Sequence, residues 1–91
     1  MACALLVKVE GRVTGVGFRY SAMRFAAGLP GLHGYIRNTA YDAVEAWIQG
    51  PEAEVARMLE WLRHGPSSAL VVRVAVNSVT PRDDLPFFTI Q

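Results

Sequence analysis

The segment between Gly11 and Arg19 carries the residue types best suited to binding an anion. Gly15 and Gly17 can adopt a positive φ or let a ligand come close to the backbone. The segment leads into a helical pattern, and the free N–H groups and the dipole of a helix N-terminus attract anions. Arg19 falls in the first turn of that helix, where a cation is unfavourable unless an anion lies between it and the amides. The segment therefore predicts an anion site, against the simpler alternative that Arg19 extends into solvent.

Three well-known phosphate-binding loops do not fit this segment. A Walker A loop ends in Gly-Lys-Ser/Thr, which the sequence lacks. The dinucleotide-binding fingerprint requires a third glycine where the chain has Tyr20. Cysteine-based phosphatases place a cysteine six residues before the arginine, and that position is Val13. Since the loop has no covalent nucleophile, a reaction at a bound phosphate requires water as the attacking group.

The other polar residues do not suggest a metal site or acid–base catalysis. His33 and His64 lie far apart and have no carboxylate at ligand spacing, so neither a metal nor another cofactor is expected. Glu45 stands alone, so a paired-carboxylate mechanism is not suggested. Asn38 ends a predicted strand and is interpreted either as a turn former or as an amide that holds a water molecule.

This small set of residues restricts the reaction to substrates with a good leaving group. Without a metal, a general acid or a nucleophile, hydrolysis requires a group that departs without a proton. A carboxylate, whose acid has a pKa of about 4, does so at pH 7, whereas the alkoxide of a phosphate ester does not. The residues therefore favour a carboxyl–phosphate mixed anhydride over an ordinary phosphoester.

Composition indicates one domain in a reducing compartment. The chain has 91 residues, 52% of them hydrophobic, and a net charge of +1, so we expect one core across residues 1–91 and no nucleic-acid partner. Cys3 is the only cysteine, which excludes an internal disulfide. The sequence shows neither a membrane-spanning apolar run nor a signal-peptide pattern. We expect a cytoplasmic monomer with no membrane partner.

Hydrophobic periodicity predicts the element order βαββαβ. Because only two helices are available to cover the apolar face of one sheet, both are expected on the same side. Right-handed crossovers then give a two-layer, ferredoxin-like α/β (α+β) sandwich with an antiparallel sheet. The predicted strands are 4–10, 32–38, 43–49 and 69–79, the helices begin at Phe18 and Pro51, and residues 87–90 are expected to add a short edge pairing.

The predicted sheet has one covered face and one open face. Tyr35 and Trp47 fall on the open face, where ordinary surface aromatics are favoured over a ligand-stacking role. In the last long strand, one side is expected to carry Leu70, Val72, Val74 and Val76.

These residues closely resemble the acylphosphatase family. The stretch Gly11 to Arg19 is similar to the first family signature, Gly-x-Val-x-Gly-Val-x-Phe-Arg. The second signature is matched by Gly34-Tyr35-Ile36-Arg37-Asn38, followed by Val44-Glu45 and Gln49-Gly50. The C-terminal pattern is matched by Gly65-Pro66, Ala69, Val71 and Phe88-Thr89-Ile90, so the resemblance spans residues 5–90.

The resemblance implies a ferredoxin-like fold and hydrolysis of an acyl phosphate to carboxylate and inorganic phosphate by direct attack of water. It also implies that Asn38 orients the water. The phosphoryl group is then bound by Arg19 and by the backbone amides of Thr14, Gly15, Val16, Gly17 and Phe18. Inorganic phosphate or sulfate is expected to compete with the acyl phosphate.

Two alternatives to this activity remain. One is a carbamoyl-phosphate-handling module of the kind that begins large hydrogenase-maturation proteins, which the chain length of 91 residues disfavours. The other is a catalytically silent anion- or ligand-binding domain on the same fold, which the presence of both Arg19 and Asn38 disfavours.

The chain departs from the family pattern at three places. Thr14 stands where the family usually has Gln, although the backbone amide is unaffected. Tyr41-Asp42 replaces the usual Asp-Gly of the hairpin, which predicts a changed turn and a small shift of Asn38. Pro30 looks inserted before the usual Gly-Leu and lengthens the connection after the first helix.

Overall fold

The computed structural model describes residues 2–91 of the chain. Strands and helices follow one another in the order that the sequence pattern predicts, with a short fifth strand at the end. They are β1 (Ala2–Arg12), α1 (Phe18–Ala26), β2 (His33–Ala40), β3 (Ala43–Pro51), α2 (Glu52–Leu62), β4 (Leu70–Ser78) and β5 (Thr89–Ile90).

The strands form one sheet in the order β4-β1-β3-β2-β5. Strands β1 to β4 pair antiparallel, and β3 lies between β1 and β2 as the two βαβ halves interleave. This order, with both helices on one face, confirms the predicted ferredoxin-like sandwich. The sheet as a whole is mixed and not purely antiparallel, because Thr89–Ile90 pairs parallel with Tyr35 and Ile36 of β2.

The core fills the space between the helices and the covered face of the sheet. Alternate residues of β1 and β3 point into it, and the buried stripe of each helix closes it from the other side, as the two periodicities require. The largest fully buried side chains are Phe18, Leu32, Ile36, Ile48, Met58, Leu62, Val7, Val9, Val13, Val44 and Val55.

A bulge in β4 corrects the prediction for the faces of that strand. Arg73 pairs with Glu10 and Val71 pairs with the next residue of β1, Gly11, so Val72 is an extra residue in β4. An extra residue in one strand reverses which side chains lie on each face beyond it. Val71 and Val74 therefore pack against the core, and two of the three residues predicted to share the face of Val74, Leu70 and Val72, are 60% and 73% exposed.

The C-terminal segment crosses the end of the sheet opposite to the β1–α1 loop. The Val79 N–H donates to the Ala4 carbonyl where β1 begins. The Gln49 side chain pairs with the backbone of Arg82 through two hydrogen bonds of 2.7 and 2.9 Å. The Arg82 guanidinium lies 5.3 Å from the centre of the Trp47 ring, so this segment covers part of the open face.

Residues 2–91 contain no helix that could span a membrane and no cluster of metal-ligand side chains. Neither helix has the length and apolar character needed to cross a bilayer. The same residues contain no group of three or more His, Cys, Asp or Glu side chains placed to hold a metal ion.

Candidate active site

The loop between β1 and α1 presents a run of backbone N–H groups. Gly15 and Gly17 have φ values of 75° and 74°, in the left-handed region that glycine adopts at little cost. Gly17 caps α1, and its carbonyl accepts the first helical hydrogen bond from the Ser21 N–H. The N–H groups of residues 15–20 donate to no acceptor within residues 2–91. A curved row of free amides at a helix N-terminus is a strong anion-binding arrangement.

Arg19 lies in the first turn of α1 beside these amides. Its side chain is half-buried and makes neither a hydrogen bond nor an ion pair with any residue from 2 to 91. The first turn of α1 holds no acidic residue that would compensate the guanidinium. Since the helix dipole also disfavours a cation here, a bound anion would be stabilised by the guanidinium and the amides together.

The adjacent arginine, Arg37, is directed away from this loop. Its guanidinium binds the Glu45 carboxylate at 3.1 Å on the open face of the sheet, and the Tyr35 hydroxyl donates to the same carboxylate oxygen. Desolvation raises the pKa of Tyr35, and its hydrogen bond to Glu45 acts in the same direction. The buried Glu45 carboxylate thus has no second carboxylate in this cluster, and it already pairs with the charge of Arg37. Arg19 is left as the arginine suited to the loop amides.

Packing beneath the loop holds the start of α1 in place. The Phe18 ring is buried and meets the Trp61 ring edge-on, with 5.4 Å between the ring centres. Gly65, which follows α2, has a φ of 68° and lies so close that a Cβ at this position would collide with the Phe18 ring. Val13 is 2% exposed and fixes the other end of the loop in the core.

A serine on the far side of the loop adds a hydrogen bond. The Ser68 hydroxyl donates to the Val16 carbonyl at 2.9 Å. Sequence reasoning treated Ser68 as an ordinary loop residue, and no sequence signal links it to Val16. This hydrogen bond fixes the peptide unit that joins Val16 to Gly17, whose N–H has no acceptor among residues 2–91.

The β2–β3 turn contacts the loop from the side of the sheet. Asp42 adopts a φ of 58° and is the one non-glycine residue from 2 to 91 with a positive value. Its carboxylate accepts hydrogen bonds from the Val13 and Thr14 N–H groups, at 3.3 and 3.2 Å. The Thr14 hydroxyl in turn accepts the Asp42 N–H at 2.8 Å. Of the loop amides predicted to bind a phosphoryl group, that of Thr14 thus already has a protein acceptor.

Asn38 lies on β2 near the same turn. It pairs across the sheet with Val44, whose side chain is buried in the core, so Asn38 is on the covered face of the sheet. The helices do not cover it, since its side chain is exposed. The side chain makes no hydrogen bond with any residue from 2 to 91. The turn that follows is the one bonded to Val13 and Thr14, which places the end of β2 beside the loop.

The two histidines are engaged elsewhere. His33 stacks on Phe87, with 4.6 Å between the ring centres, at the start of β2. His64 lies 3.3 Å from the Glu60 carboxylate at the end of α2. Neither belongs to a group of three or more His, Cys, Asp or Glu side chains placed to hold a metal ion within residues 2–91.

The fold defines a small α+β domain with a row of free backbone amides at the start of its first helix, and comparisons with known proteins show its family. The acylphosphatase family model matches residues 5–90. An acylphosphatase of Burkholderia vietnamiensis is 52% identical over 68 residues, which are 75% of this chain and 68% of that protein.

Solved structures give the same result over almost the whole chain. An acylphosphatase from Coxiella burnetii superposes with a TM-score of 0.89 and 30% identity, covering 99% of this chain and 93% of that one. An acylphosphatase from Bacillus subtilis superposes with a TM-score of 0.86 and 28% identity, covering 100% and 99%. The chain belongs to the acylphosphatase family.

Proposed function

We propose that this chain hydrolyses acyl phosphates to a carboxylate and inorganic phosphate by direct attack of water. The observation that carries the proposal is the row of free amides at residues 15–20, which ends at an arginine with no protein partner among residues 2–91. Family membership supports the same reaction, since the relatives that match most of the chain are named acylphosphatase.

The amides of Gly15 to Phe18 and the guanidinium of Arg19 bind the phosphoryl group in this proposal. Phosphoryl transfer spreads negative charge over three equatorial oxygens, and donors fixed before the substrate arrives stabilise that charge without reorganisation. Arginine supplies two parallel donors to such a group. The Thr14 amide was predicted to join them, but its hydrogen bond to Asp42 suits it better to holding the loop.

Asn38 orients the attacking water. Its side-chain amide has both a donor and an acceptor and is free on the face where the loop lies. The water oxygen forms a bond to phosphorus as the bond from phosphorus to the acyl oxygen breaks, and that electron pair leaves with the carboxylate. A phosphoryl oxygen takes the proton from the water, so the products are a carboxylate and dihydrogen phosphate. No protein acid is required, because the leaving carboxylate is stable unprotonated at pH 7.

Comparing two leaving groups tests this proposal. Purified protein is incubated with an aryl acyl phosphate and, separately, with phenyl phosphate, and phosphate release is measured. We expect release from the acyl phosphate only, because a phenoxide leaving group of pKa about 10 requires a proton that the site does not supply. Equal rates on both substrates, or none on either, would contradict the proposal. A third arm with carbamoyl phosphate tests the alternative of a carbamoyl-phosphate-handling module.

Competition by simple anions follows from the same site. Inorganic phosphate and sulfate are tetrahedral and should bind the amides and Arg19, so both should inhibit competitively and shift the amide NMR signals of residues 15–19. Phosphate binding at these amides without turnover would instead indicate a catalytically silent anion-binding domain. We further propose that the protein acts as a monomer in the cytoplasm, a reducing compartment that suits a chain whose single cysteine cannot form an internal disulfide.

A further inference from the structure

We infer that Asp42 is a positioning residue for the anion-binding loop and acts through Val13 and Thr14. The inference rests on the proposed function, because the quantity that Asp42 controls is the affinity of the loop for a phosphoryl group. It assigns a role in the site to a residue in the hairpin turn.

Asp42 contacts the loop with its side chain and with both of its backbone groups. The carboxylate accepts the N–H groups of Val13 and Thr14, and the Asp42 N–H donates to the Thr14 hydroxyl. The Asp42 carbonyl accepts the Gly11 N–H at 3.2 Å. The hydrogen bonding between Thr14 and Asp42 is thus reciprocal, because each residue donates its backbone N–H to the side chain of the other. Such a pair fixes distance and orientation together.

The backbone of Asp42 has a conformation that few residues other than glycine adopt. Its φ of 58° lies in the left-handed region, which is unfavourable for most side chains and which aspartate tolerates better than most. A residue remains there when surrounding contacts over-determine it. The contacts to Gly11, Val13 and Thr14 provide that support, so the turn and the loop form one unit.

The loop needs an external support at this end. Gly15 and Gly17 follow directly and have the greatest backbone freedom of any residue type. The other end is fixed by α1 and by the hydrogen bond from Ser68 to Val16. Without the Asp42 carboxylate, the amides of Val13 and Thr14 would lose their acceptor. The chain between Arg12, which pairs with Leu70 of β4, and Gly15 would then be held by the buried Val13 side chain. The free amides that follow would then sample orientations that do not converge on an anion.

Paired substitutions separate positioning from turn stability. Asp42→Gly keeps the positive φ without strain and removes the carboxylate, whereas Asp42→Asn keeps an oxygen acceptor and also tolerates this φ. Thr14→Val removes the hydroxyl acceptor at constant shape, and Thr14→Ser retains it. Phosphate affinity, kcat, KM and melting temperature are measured on all four, and hydrogen exchange is measured at the amides of Val13 and Thr14.

We expect Asp42→Gly to weaken phosphate binding and raise KM by about tenfold, a size typical of coupling between contacting residues. Asp42→Asn should restore most of the affinity, and Thr14→Val should weaken binding more than Thr14→Ser. Amide protection at Val13 and Thr14 should be lost in Asp42→Gly. If that protection is lost while phosphate affinity and KM stay at wild-type values, Asp42 only stabilises the turn, and the inference is wrong although the proposed function stands. If the wild-type protein neither binds phosphate at the loop nor hydrolyses acyl phosphates, the proposed function fails and the inference fails with it.

Discussion

Replacing Arg19 with alanine should abolish most activity while leaving the protein as stable as before or more stable. The side chain has no ion-pair partner among residues 2–91, so its removal leaves no buried carboxylate unpaired. A cation in the first turn opposes the helix dipole, and relieving that interaction should stabilise the fold by about 0.3–1 kcal/mol. For a domain of this size the melting temperature should rise by roughly 1–8 °C.

The loss of activity in Arg19→Ala should be much larger than this gain in stability. Removing one charge-stabilising donor from a preorganised site typically costs about 3–4 kcal/mol of transition-state stabilisation, which is a decrease in kcat/KM of about 10²–10³-fold. Arg19→Lys should recover only part of the rate, because an ammonium group cannot form the two parallel hydrogen bonds of a guanidinium. Phosphate should raise the melting temperature of the wild-type protein but not that of Arg19→Ala, since ligand stabilisation requires binding.

Arg24 provides the matched control on the same helix. It is exposed in the last turn of α1, where a cation is favourable, and its guanidinium lies 5.8 Å from the centre of the Tyr20 ring. Arg24→Ala should therefore lose a little stability and no activity, the opposite of the pattern for Arg19→Ala. If a folded Arg19→Ala variant retains kcat/KM within about threefold of the wild type, Arg19 does not bind the phosphoryl group and the proposed site is wrong.

Three further substitutions test the parts of the site that surround Arg19. Asn38→Ala should lower kcat by about 10²-fold with phosphate affinity nearly unchanged, because the side chain acts on the water alone. If the variant instead has a lower melting temperature and a normal kcat, Asn38 only stabilises the turn. Gly65→Ala should destabilise the fold by about 2 kcal/mol or more, because its φ is positive and the added Cβ would collide with the buried Phe18 ring. Gly28→Ala is the control, since its Cβ would make only ordinary contacts, and equal melting temperatures of the two variants would refute the prediction. Ser68→Ala should cost about 0.5 kcal/mol and weaken phosphate binding slightly, and unchanged binding would remove Ser68 from the site.

The architecture was predictable from the sequence because it depends on local periodicity. The burial pattern of the structure shows the predicted alternation in β1 and β3 and the predicted apolar stripes of α1 and α2. The short pairing of residues 89–90 was also expected. The predicted faces of Leu70 and Val72 were wrong because Val72 is an extra, bulged residue in β4, and a continuous run of apolar residues gives no sign of where such a bulge lies.

The supports of the site were less predictable than its chemical groups. Arg19 and Asn38 stand out by residue type and position, and both remain proposals supported by where the fold places them. The contact between Thr14 and Asp42 joins residues 28 apart in sequence, and local patterns carry no information about such a pair. A signal did exist, since both residues depart from the family pattern, and two changes in facing loops suggest that one compensates for the other.

A site built from backbone amides depends less on the side chains within the loop than on the residues that hold the loop in place. Replacing Thr14 by another residue leaves its N–H in the chain, and the exposed Gly15 and Gly17 contribute no side chain at all. The directions of the free amides are instead set by Asp42 at one end, by Ser68 in the middle and by the packed ring at the helix start. Because a charge-assisted hydrogen bond weakens when donor and acceptor are misaligned, a rotation of the loop weakens the bonds of several amides to the anion at the same time. Differences in rate between this chain and its relatives should therefore be sought first in the turn after β2 and in the residues that follow α2.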